Sequence, residues 1–429
     1  MLTKSSCLIA LSTGLLSAAS FAACPAGTST APVQVDGKET CILSGTYTSD
    51  LTLRASQSYV LSGGVFIGGD NTDSATVTIQ PGTKIVGQSG ADFMVINRGS
   101  KIDAAGTESR PIVFTSAKAE GQRNRGDWGG LIINGNAPIN GCNAGTALCE
   151  AEGEGNTGLY GGNNPSDNSG VLKYVRVEFA GNEITPDNEL NGIAFQGVGA
   201  GTLVDYIQVH MNADDGVEFF GGTVNAKHVV LTGNRDDSLD WVNGWVGKMQ
   251  FVAVEQYDDQ ANNGIEGDNL KASQDASPRS NPSLANMTFI GTTSSAAKGG
   301  SGLLLRRGTG AEITNSVFTG FKVSCIDLDD AATFGTGLVN ITNTFFSCQE
   351  NFTVDSDDGF SLESWFTAES SNKVVSDVAL NGFVPATRSP LLGAGATPFD
   401  LFFDDVDYVG AVSGAGNDWT AGWTTSARN

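Results

Sequence analysis

Histidine and positive charge are scarce in this sequence. Only two of its 429 residues are histidines, and 24 Lys and Arg face 47 Asp and Glu, which gives a formal net charge of −23. Neither His210 nor His228 has a second histidine at metal-ligand spacing, so a zinc site is not predicted. The shortage of positive charge disfavours binding to nucleic acid and favours cations, although solubility outside a cell would explain it equally well.

Long hydrophobic runs are also missing. No stretch of the mature chain approaches the roughly 18 uninterrupted apolar residues that cross a bilayer, so no transmembrane segment is predicted. Residues 1–23 combine Lys4, an apolar run and small residues before Cys24, which indicates a secretory signal peptide. The chain is therefore expected to be secreted, periplasmic or on the outer surface of a bacterial cell. Because Phe21–Cys24 weakly resembles a lipoprotein cleavage site, lipidation of Cys24 is an alternative.

Signatures of several enzyme classes are absent. No nucleophile elbow, Walker A loop or dinucleotide-binding glycine turn stands in a suitable strand–helix context. Besides Cys7, the chain has six cysteines, an even number that suggests disulfides in an exported protein. The simplest of the fifteen pairings is sequential: Cys24–Cys41, Cys142–Cys149 and Cys325–Cys348.

An internal repeat predicts the fold. The acidic pairs Asp214-Asp215, Asp236-Asp237 and Asp258-Asp259 follow one another at intervals of 22 residues, beside short β-branched segments. This period is typical of one coil of a right-handed parallel β-helix, an all-β solenoid. Alternation places two columns of side chains inward: Ile207, Val229 and Phe251 in one, and Val209, Leu231 and Ala253 in the other.

The remaining segments are arranged around this solenoid. Residues 24–60 are expected to form an N-terminal cap and residues 61–397 the β-helix, with loop insertions at about 135–170 and 268–285. Residues 398–429 leave the repeat and are expected to form a C-terminal cap on the last coil, with Trp419 and Trp423 in its packing.

Several long strings resemble those of a family of exported bacterial β-helix proteins. They are Gly126–Pro138, Asn188–Gly192, Asp214–Gly222 and Asp418–Trp423, and together the likeness covers nearly the whole mature chain. The resemblance implies a pectin-lyase-like right-handed parallel β-helix. It implies no particular activity, since this architecture carries many functions.

The acidic pairs are the strongest candidates for a functional site. Stacked coils bring equivalent residues to about 4.8 Å, so the three pairs are expected to form a ladder of carboxylates. Glu218, Asp240 and Glu266 should form a second column, with Asp327 continuing it beyond Leu304. Bound Ca²⁺ would relieve the repulsion, and so would raised pKa values or backbone donors in the turns. The predicted metal ligands are Asp214, Asp215, Asp236, Asp237, Asp258, Asp259, Glu218 and Glu266.

Two enzyme templates fit parts of this pattern. Asp215, Asp236 and Asp237 resemble the carboxylates of inverting polysaccharide hydrolases of this fold, but Asp258-Asp259 stands where a histidine is expected. A Ca²⁺-dependent lyase for uronate polymers would need an arginine as base. The adjacent Arg306 and Arg307 suit that role, although a salt bridge explains them as well. In an enzyme, Asp236, Asp237, Asp240, Arg306 and Arg307 would be the catalytic residues.

Three classes of function therefore remain open. The leading hypothesis is a non-enzymatic binding or surface protein whose acidic face holds Ca²⁺ and engages an extracellular polysaccharide or a cell-surface component. A polysaccharide lyase or inverting hydrolase acting on an acidic glycan is the alternative. A purely structural or assembly role would need only the solenoid and its caps.

Overall fold

The computed structural model describes residues 23–142, 145, 147–185, 188–354, 360–398 and 400–429. Through these residues the chain forms a right-handed parallel β-helix, as the 22-residue period predicted. The expected signal peptide lies outside the described residues, except for Ala23. None of the helices among the described residues has the length and apolar character of a membrane span.

Short strands make up most of the solenoid. In chain order they are β1 Ser29–Thr30, β2 Thr40–Tyr47, β3 Leu51–Leu53, β4 Ser58–Ile67, β5 Thr76–Ile79, β6 Lys84–Gly87, β7 Phe93–Ile96, β8 Lys101–Ala105, β9 Ile112–Ser116, β10 Gly130–Asn134, β11 Ala151–Glu152, β12 Leu159–Tyr160, β13 Gly170–Glu178, β14 Asn182–Thr185, β15 Asn188–Leu190, β16 Ile193–Gln196, β17 Leu203–His210, β18 Val217–Phe220, β19 Asn225–Thr232, β20 Leu239–Val242, β21 Lys248–Glu255, β22 Ile265–Asp268, β23 Ser283–Ile290, β24 Leu303–Arg306, β25 Ala311–Thr314, β26 Val317–Thr319, β27 Ile326–Leu328, β28 Val339–Thr342, β29 Phe345–Ser347, β30 Lys373–Val374, β31 Leu380–Asn381 and β32 Val384–Pro385. Among the described residues, the α-helices are α1 Ala331–Phe334 and α2 Leu362–Ala368.

The coils stack into three parallel ladders. Ladder A joins the end of β4 to β7, β10, β16, β18, β20, β22, β24 and β27. Ladder B runs from β3 through β5 and β8 to β28, and ladder C from β2 and β4 to β30. Five long strands have a sharp bend near the middle. Their residues before the bend belong to ladder B and those after it to ladder C; the five are β13, β17, β19, β21 and β23.

A left-handed residue makes each of these bends. Tyr174, Tyr206, His228, Phe251 and Asn286 have φ between 49° and 61°, and the backbone pairing skips each of them. The bend turns their side chains outward, where the four rings stack at centroid distances of 4.4, 4.1 and 5.0 Å. The result is an aromatic column along one side of the solenoid.

The inward columns are confirmed for two coils and wrong for the third. Ile207 pairs with Val229, and Val209 with Leu231, as predicted. In the next coil Val252 and Val254 take the inward places expected for Phe251 and Ala253. The turn between β20 and β21 is one residue longer than its predecessor, since β18 to β20 keeps the interval of 22 while β19 to β21 has 23. A shift of one residue moves every side chain to the opposite face.

The two ends of the solenoid differ from the expected caps. Parallel pairing already begins at Thr40, inside the predicted N-terminal cap 24–60, and the short antiparallel strand β1 pairs with the edge of β2. At the other end the parallel ladders stop at β30, before the predicted limit at 397. There helix α2 covers the last coil with Leu362 and Phe366, and the Phe366 ring stacks on Phe346 at 4.2 Å.

The C-terminal segment does not cap the last coil, which corrects the prediction for residues 398–429. It runs back along the side of the solenoid, over the aromatic column. Gln250 binds the backbone of Asp404, and Gln208 binds that of Thr425 through both amide atoms. Trp419 and Trp423 pack edge-on against Tyr206, with Trp423 fully buried. The segment thus acts as a lateral strap.

Cysteine pairing follows the sequential prediction. Disulfides join Cys24 to Cys41, Cys142 to Cys149 and Cys325 to Cys348. The first occupies the sulfur that lipidation would need, and the third bridges adjacent coils. Cys142 and Cys149 lie within the expected insertion at 135–170, and the second expected insertion separates β22 from β23.

Candidate functional site

An acidic cleft of about 450 Å³ opens on ladder A, at the turns that lead from ladder C into it. Ten carboxylates line it, with three basic side chains at one end. The carboxylates are Glu154, Glu189, Asp214, Asp215, Glu218, Asp236, Asp237, Asp240, Glu266 and Asp268, and the basic residues are Lys271, Arg306 and Arg307.

The strand column in the cleft has the predicted register. Glu218 pairs with Asp240 and Asp240 with Glu266, on β18, β20 and β22. Leu304 follows, and Asp327 continues the column on β27. These side chains alternate with inward residues of the core, so the strand pleat points the carboxylates of three coils into the cleft.

The turn column is built by side chains that accept backbone N–H groups of the next coil. Asp215 Oδ1 accepts from the Asp237 amide at 2.9 Å, and Asp237 Oδ1 accepts from the Asn263 amide at 2.6 Å. Asn263 Oδ1 accepts from Ser301 at 3.0 Å. Turn preference for Asp and Asn therefore explains part of the acidic repeat. It does not account for Asp214 and Asp236, which stand beside this column in the cleft wall.

The third acidic pair lies outside the cleft, which corrects the prediction for Asp258 and Asp259. Asn262 and Asn263 occupy the corresponding positions, because the coil is longer and the interval from Asp237 to its equivalent is 26 residues. Asp258 pairs instead with Arg428 of the strap, and Asp259 with Arg125. Neither is among the cleft residues.

Segments outside the repeated strands and turns supply three further cleft residues, which the repeat therefore could not predict. Glu154 comes from the insertion stapled by Cys142–Cys149, Glu189 from the hairpin β14–β15, and Lys271 from the loop after β22. Asp268, at the end of β22, was also missed, although it lies two residues after Glu266 on the same strand face. Arg98 anchors the first insertion, since its buried guanidinium donates to Asp70, Glu150 and the Gly161 carbonyl.

The arginine pair lies at the edge of this cleft and is already ion-paired. Arg306 contacts Glu266, and its Nε donates to Asp268 Oδ1 at 2.9 Å. Arg307 also contacts Asp268. These carboxylates raise the pKa of Arg306 against the opposing effect of burial. An arginine held this way is a poor proton acceptor, so the salt-bridge interpretation describes the structure better than that of a free base.

Burial and mutual repulsion raise the pKa values of the cleft carboxylates. Burial, followed by the charge of Asp236, raises the pKa of Asp214 to about 7. Burial, followed by Asp214 and Glu189, raises that of Glu154 to about 8. The pKa values of Asp215, Glu218, Asp237 and Asp240 lie well above their usual range, again chiefly through burial. Without a cation, the cleft therefore holds protons near neutral pH.

Two groups of carboxylate oxygens have the spacing of a metal site. One consists of Asp214, Asp215 and Asp236, the other of Asp215, Asp237 and Asp240, and within each group the oxygens lie within 4.8 Å of one another. Ligands on opposite sides of Ca²⁺ are about 4.6–5.2 Å apart, since each Ca–O distance is about 2.3–2.6 Å. Either group could thus surround one ion, and Asp215 would be shared.

The same spacing bears on the hydrolase template. The carboxyl groups of an inverting hydrolase stand about 6.5–9.5 Å apart, which leaves room for the attacking water. Oxygens of Asp215 and Asp237 come within 4.8 Å. The nearest oxygens of this pair are thus closer together than that separation, which fits a shared cation better than an intervening water.

Both histidines have structural surroundings. His210 lies between Glu178 and Thr232 in ladder C, as expected, and its ring binds Thr232 and the Ala427 carbonyl. Burial lowers its pKa to about 4. His228 lies in the aromatic column one coil after Tyr206, at the equivalent position, and stacks on its ring. The His228 Nδ1 atom is 2.7 Å from Asp205 Oδ1.

Comparison with known proteins gives one family. Residues 45–424 match the model of the pectate-lyase-like beta helix domain. No curated protein and no solved structure gives a significant match. The matched span includes the three ladders except the start of β2, the acidic cleft and most of the strap. The chain belongs to the family of pectate-lyase-like β-helix domains.

Proposed function

We propose that this chain is an exported Ca²⁺-binding β-helix protein whose loaded cleft engages an acidic polysaccharide or a cell-surface component. The observation that carries the proposal is the pair of oxygen groups sharing Asp215, each compact enough for one ion. Carboxylates are the hard oxygen ligands that Ca²⁺ prefers.

Electrostatics supports a cation as the first ligand. Ten carboxylates face three basic groups in the cleft, so an acidic glycan meets net repulsion until cations neutralise part of the charge. A bound Ca²⁺ can then bridge protein and glycan carboxylates. Lys271 and Arg307, at the basic end, can contact a second acidic group. Three disulfides agree with an oxidising compartment, and residues 1–23 carry the proposed export signal.

Calorimetry and thermal unfolding with Ca²⁺ test the proposal. A ligand that binds only the folded state stabilises it by about 2.7 kcal/mol at a concentration of 100 times its Kd. We expect wild type to show saturable heat and a higher Tm with Ca²⁺, and Asp215→Asn to lose both. Asp258→Asn, outside the cleft, is the matched control and should respond like wild type. Absence of heat and of a Tm shift in wild type would refute Ca²⁺ binding.

A polysaccharide lyase remains the second candidate, because Asp237, Asp240 and Arg306 lie in the same cleft. It predicts unsaturated products from an acidic glycan in a panel supplied with Ca²⁺. Asp237→Asn and the double variant Arg306→Ala/Arg307→Ala should abolish them. Binding without product formation across the panel would favour the non-enzymatic role.

A further inference from the structure

We propose that Arg125 is a positioning residue of the acidic cleft. Outside the cleft, it joins the two successive turns that carry Asp236-Asp237 and Asn262-Asn263, and so keeps the cleft oxygens of neighbouring coils in register. Arg125 itself does not line the cleft, and the role follows from what its guanidinium holds.

Arg125 braces the two turns through three hydrogen bonds. Arg125 Nε donates to the Gly233 carbonyl at 2.8 Å, while Nη1 and Nη2 donate to the Asp259 carboxylate at 2.8 and 3.0 Å. Gly233 precedes Asp236 by three residues, and Asp259 precedes Asn262 by three. One side chain thus contacts both of these stacked turns. Only 10% of the Arg125 side chain is exposed, whereas its partner Asp259 is 46% exposed, so water reaches the carboxylate but not most of the guanidinium.

The same two turns are joined again inside the cleft. Asn262 Nδ2 donates to Asp236 Oδ1 at 2.7 Å, and the Asn263 amide donates to Asp237 Oδ1 at 2.6 Å. Asp236 and Asp237 belong to the two compact oxygen groups. Displacing the turn at 259–263 would therefore move donors that orient two of the proposed metal ligands. Groups that orient ligands in this way strongly affect metal affinity.

The sequence around Arg125 fixes its backbone. Gly126 has φ of 81° and donates its amide to the Ala180 carbonyl at 3.0 Å, while the Asp127 carboxylate accepts the Asn124 amide at 3.0 Å. The fully buried Trp128 donates through its indole nitrogen to the Glu178 carbonyl. The Gly126-Asp127-Trp128 string thus holds the backbone beside Arg125 in place.

Arginine is suited to this task, and lysine is not. A planar guanidinium can bind a carboxylate with two parallel donors and a carbonyl with a third, whereas an ammonium is a compact point charge. The neighbouring ion pair between Arg428 and Asp258 contributes less to stability, because both side chains are at least half exposed. The inference explains why Asp259 is acidic although it is not in the cleft.

Amide hydrogen exchange followed by mass spectrometry tests the brace without any metal. In Arg125→Ala and in Asp259→Asn, we expect peptides covering 233–240 and 256–266 to exchange about tenfold faster than in wild type, the effect of losing roughly one hydrogen bond to a charged group. Arg125→Lys should not restore protection. Arg388→Ala removes an exposed ion pair with Asp377 and is the matched control. Asp259→Asn keeps the shape of an exposed side chain and so retains the fold.

The effect on Ca²⁺ rests on the proposed function and is measured separately. We expect both variants to bind Ca²⁺ about tenfold more weakly by calorimetry. Unchanged exchange in Arg125→Ala and Asp259→Asn, or the same increase in Arg388→Ala, would overturn the inference. Faster exchange in both peptides, with no Ca²⁺ binding by wild type, would support the brace and refute the proposed Ca²⁺ function.

Discussion

Protonation of the cleft carboxylates should make the metal-free protein more stable in mild acid. Burial and like charges raise the pKa of Asp214 to about 7 and that of Glu154 to about 8, so the folded state binds these protons more tightly than the unfolded state does. For acids shifted upward, stability is lowest above the folded-state pKa and rises as the pH falls toward the unfolded-state pKa of about 4.

We therefore expect the Tm without Ca²⁺ to rise by at least about 2 °C from pH 8 to pH 5.5. Saturating Ca²⁺ should flatten or reverse this slope, because the ion competes with protons for the same oxygens. Differential scanning calorimetry with a chelator and with Ca²⁺ measures both. A higher Tm at pH 8 than at pH 5.5 in chelator would contradict the burial of charge in the cleft.

Individual site residues were predictable where the period held. Glu218 and Asp240 are one period of 22 residues apart, and Glu266, 26 residues after Asp240, could be aligned because Gly264-Ile265-Glu266 repeats the pattern of Gly216-Val217-Glu218. Asp258 and Asp259 were misplaced, since the longer turn puts Asn262 and Asn263 at their positions. Glu154 and Glu189 come from insertions without a period. Their place in the cleft depends on contacts between segments distant in sequence, which no local pattern encodes.

At the scale of structural elements, the insertion carrying Glu154 depends on one buried arginine. Arg98 is 3% exposed and holds Glu150, Asp70 and the Gly161 carbonyl. Removing one partner of a buried ion pair costs about 3–5 kcal/mol, and the partial exposure of Asp70 and Glu150 reduces this to about 2–3 kcal/mol.

We expect Arg98→Ala to lower the unfolding free energy by that amount and to sensitise residues 147–164 to limited proteolysis. Urea unfolding and mass spectrometry of the fragments measure the two effects. The exposed Arg388→Ala is again the control. Resistance of the insertion in Arg98→Ala would show that the disulfide and Tyr160 packing suffice to hold it.

The elements from β17 to β21 were predictable because their short β-branched strands recur at intervals of 22 or 23 residues. The period could not show the extra residue in the turn between β20 and β21, where Trp245 enters the core and stacks on Phe219 at 4.0 Å. Nor could it show that helix α2 closes the last coil. A short amphipathic segment gives no signal about which end of a solenoid it covers.

For the molecule as a whole, the strap should contribute to global stability through Trp423. This side chain is 1% exposed and lies in a cluster with Val230, Ala253 and Ala411. Truncating a buried tryptophan costs about 3–5 kcal/mol. We expect Trp423→Ala to lower the Tm by several degrees, whereas Leu401→Ala, at a fully exposed strap position, should leave it unchanged. A Tm equal to that of wild type in both variants would show that the strap unfolds independently of the coils.

The strap can pack on the solenoid only after the coils that it covers have been synthesised. Gln208 and His210 find their strap partners 217 residues later, and Arg176 finds the Trp423 carbonyl 247 residues later. Coils can stack on their neighbours as soon as they are synthesised, but the aromatic column stays uncovered until the strap has been made. A chain that stops a few dozen residues early keeps its coils and exposes that column to proteases and to other chains.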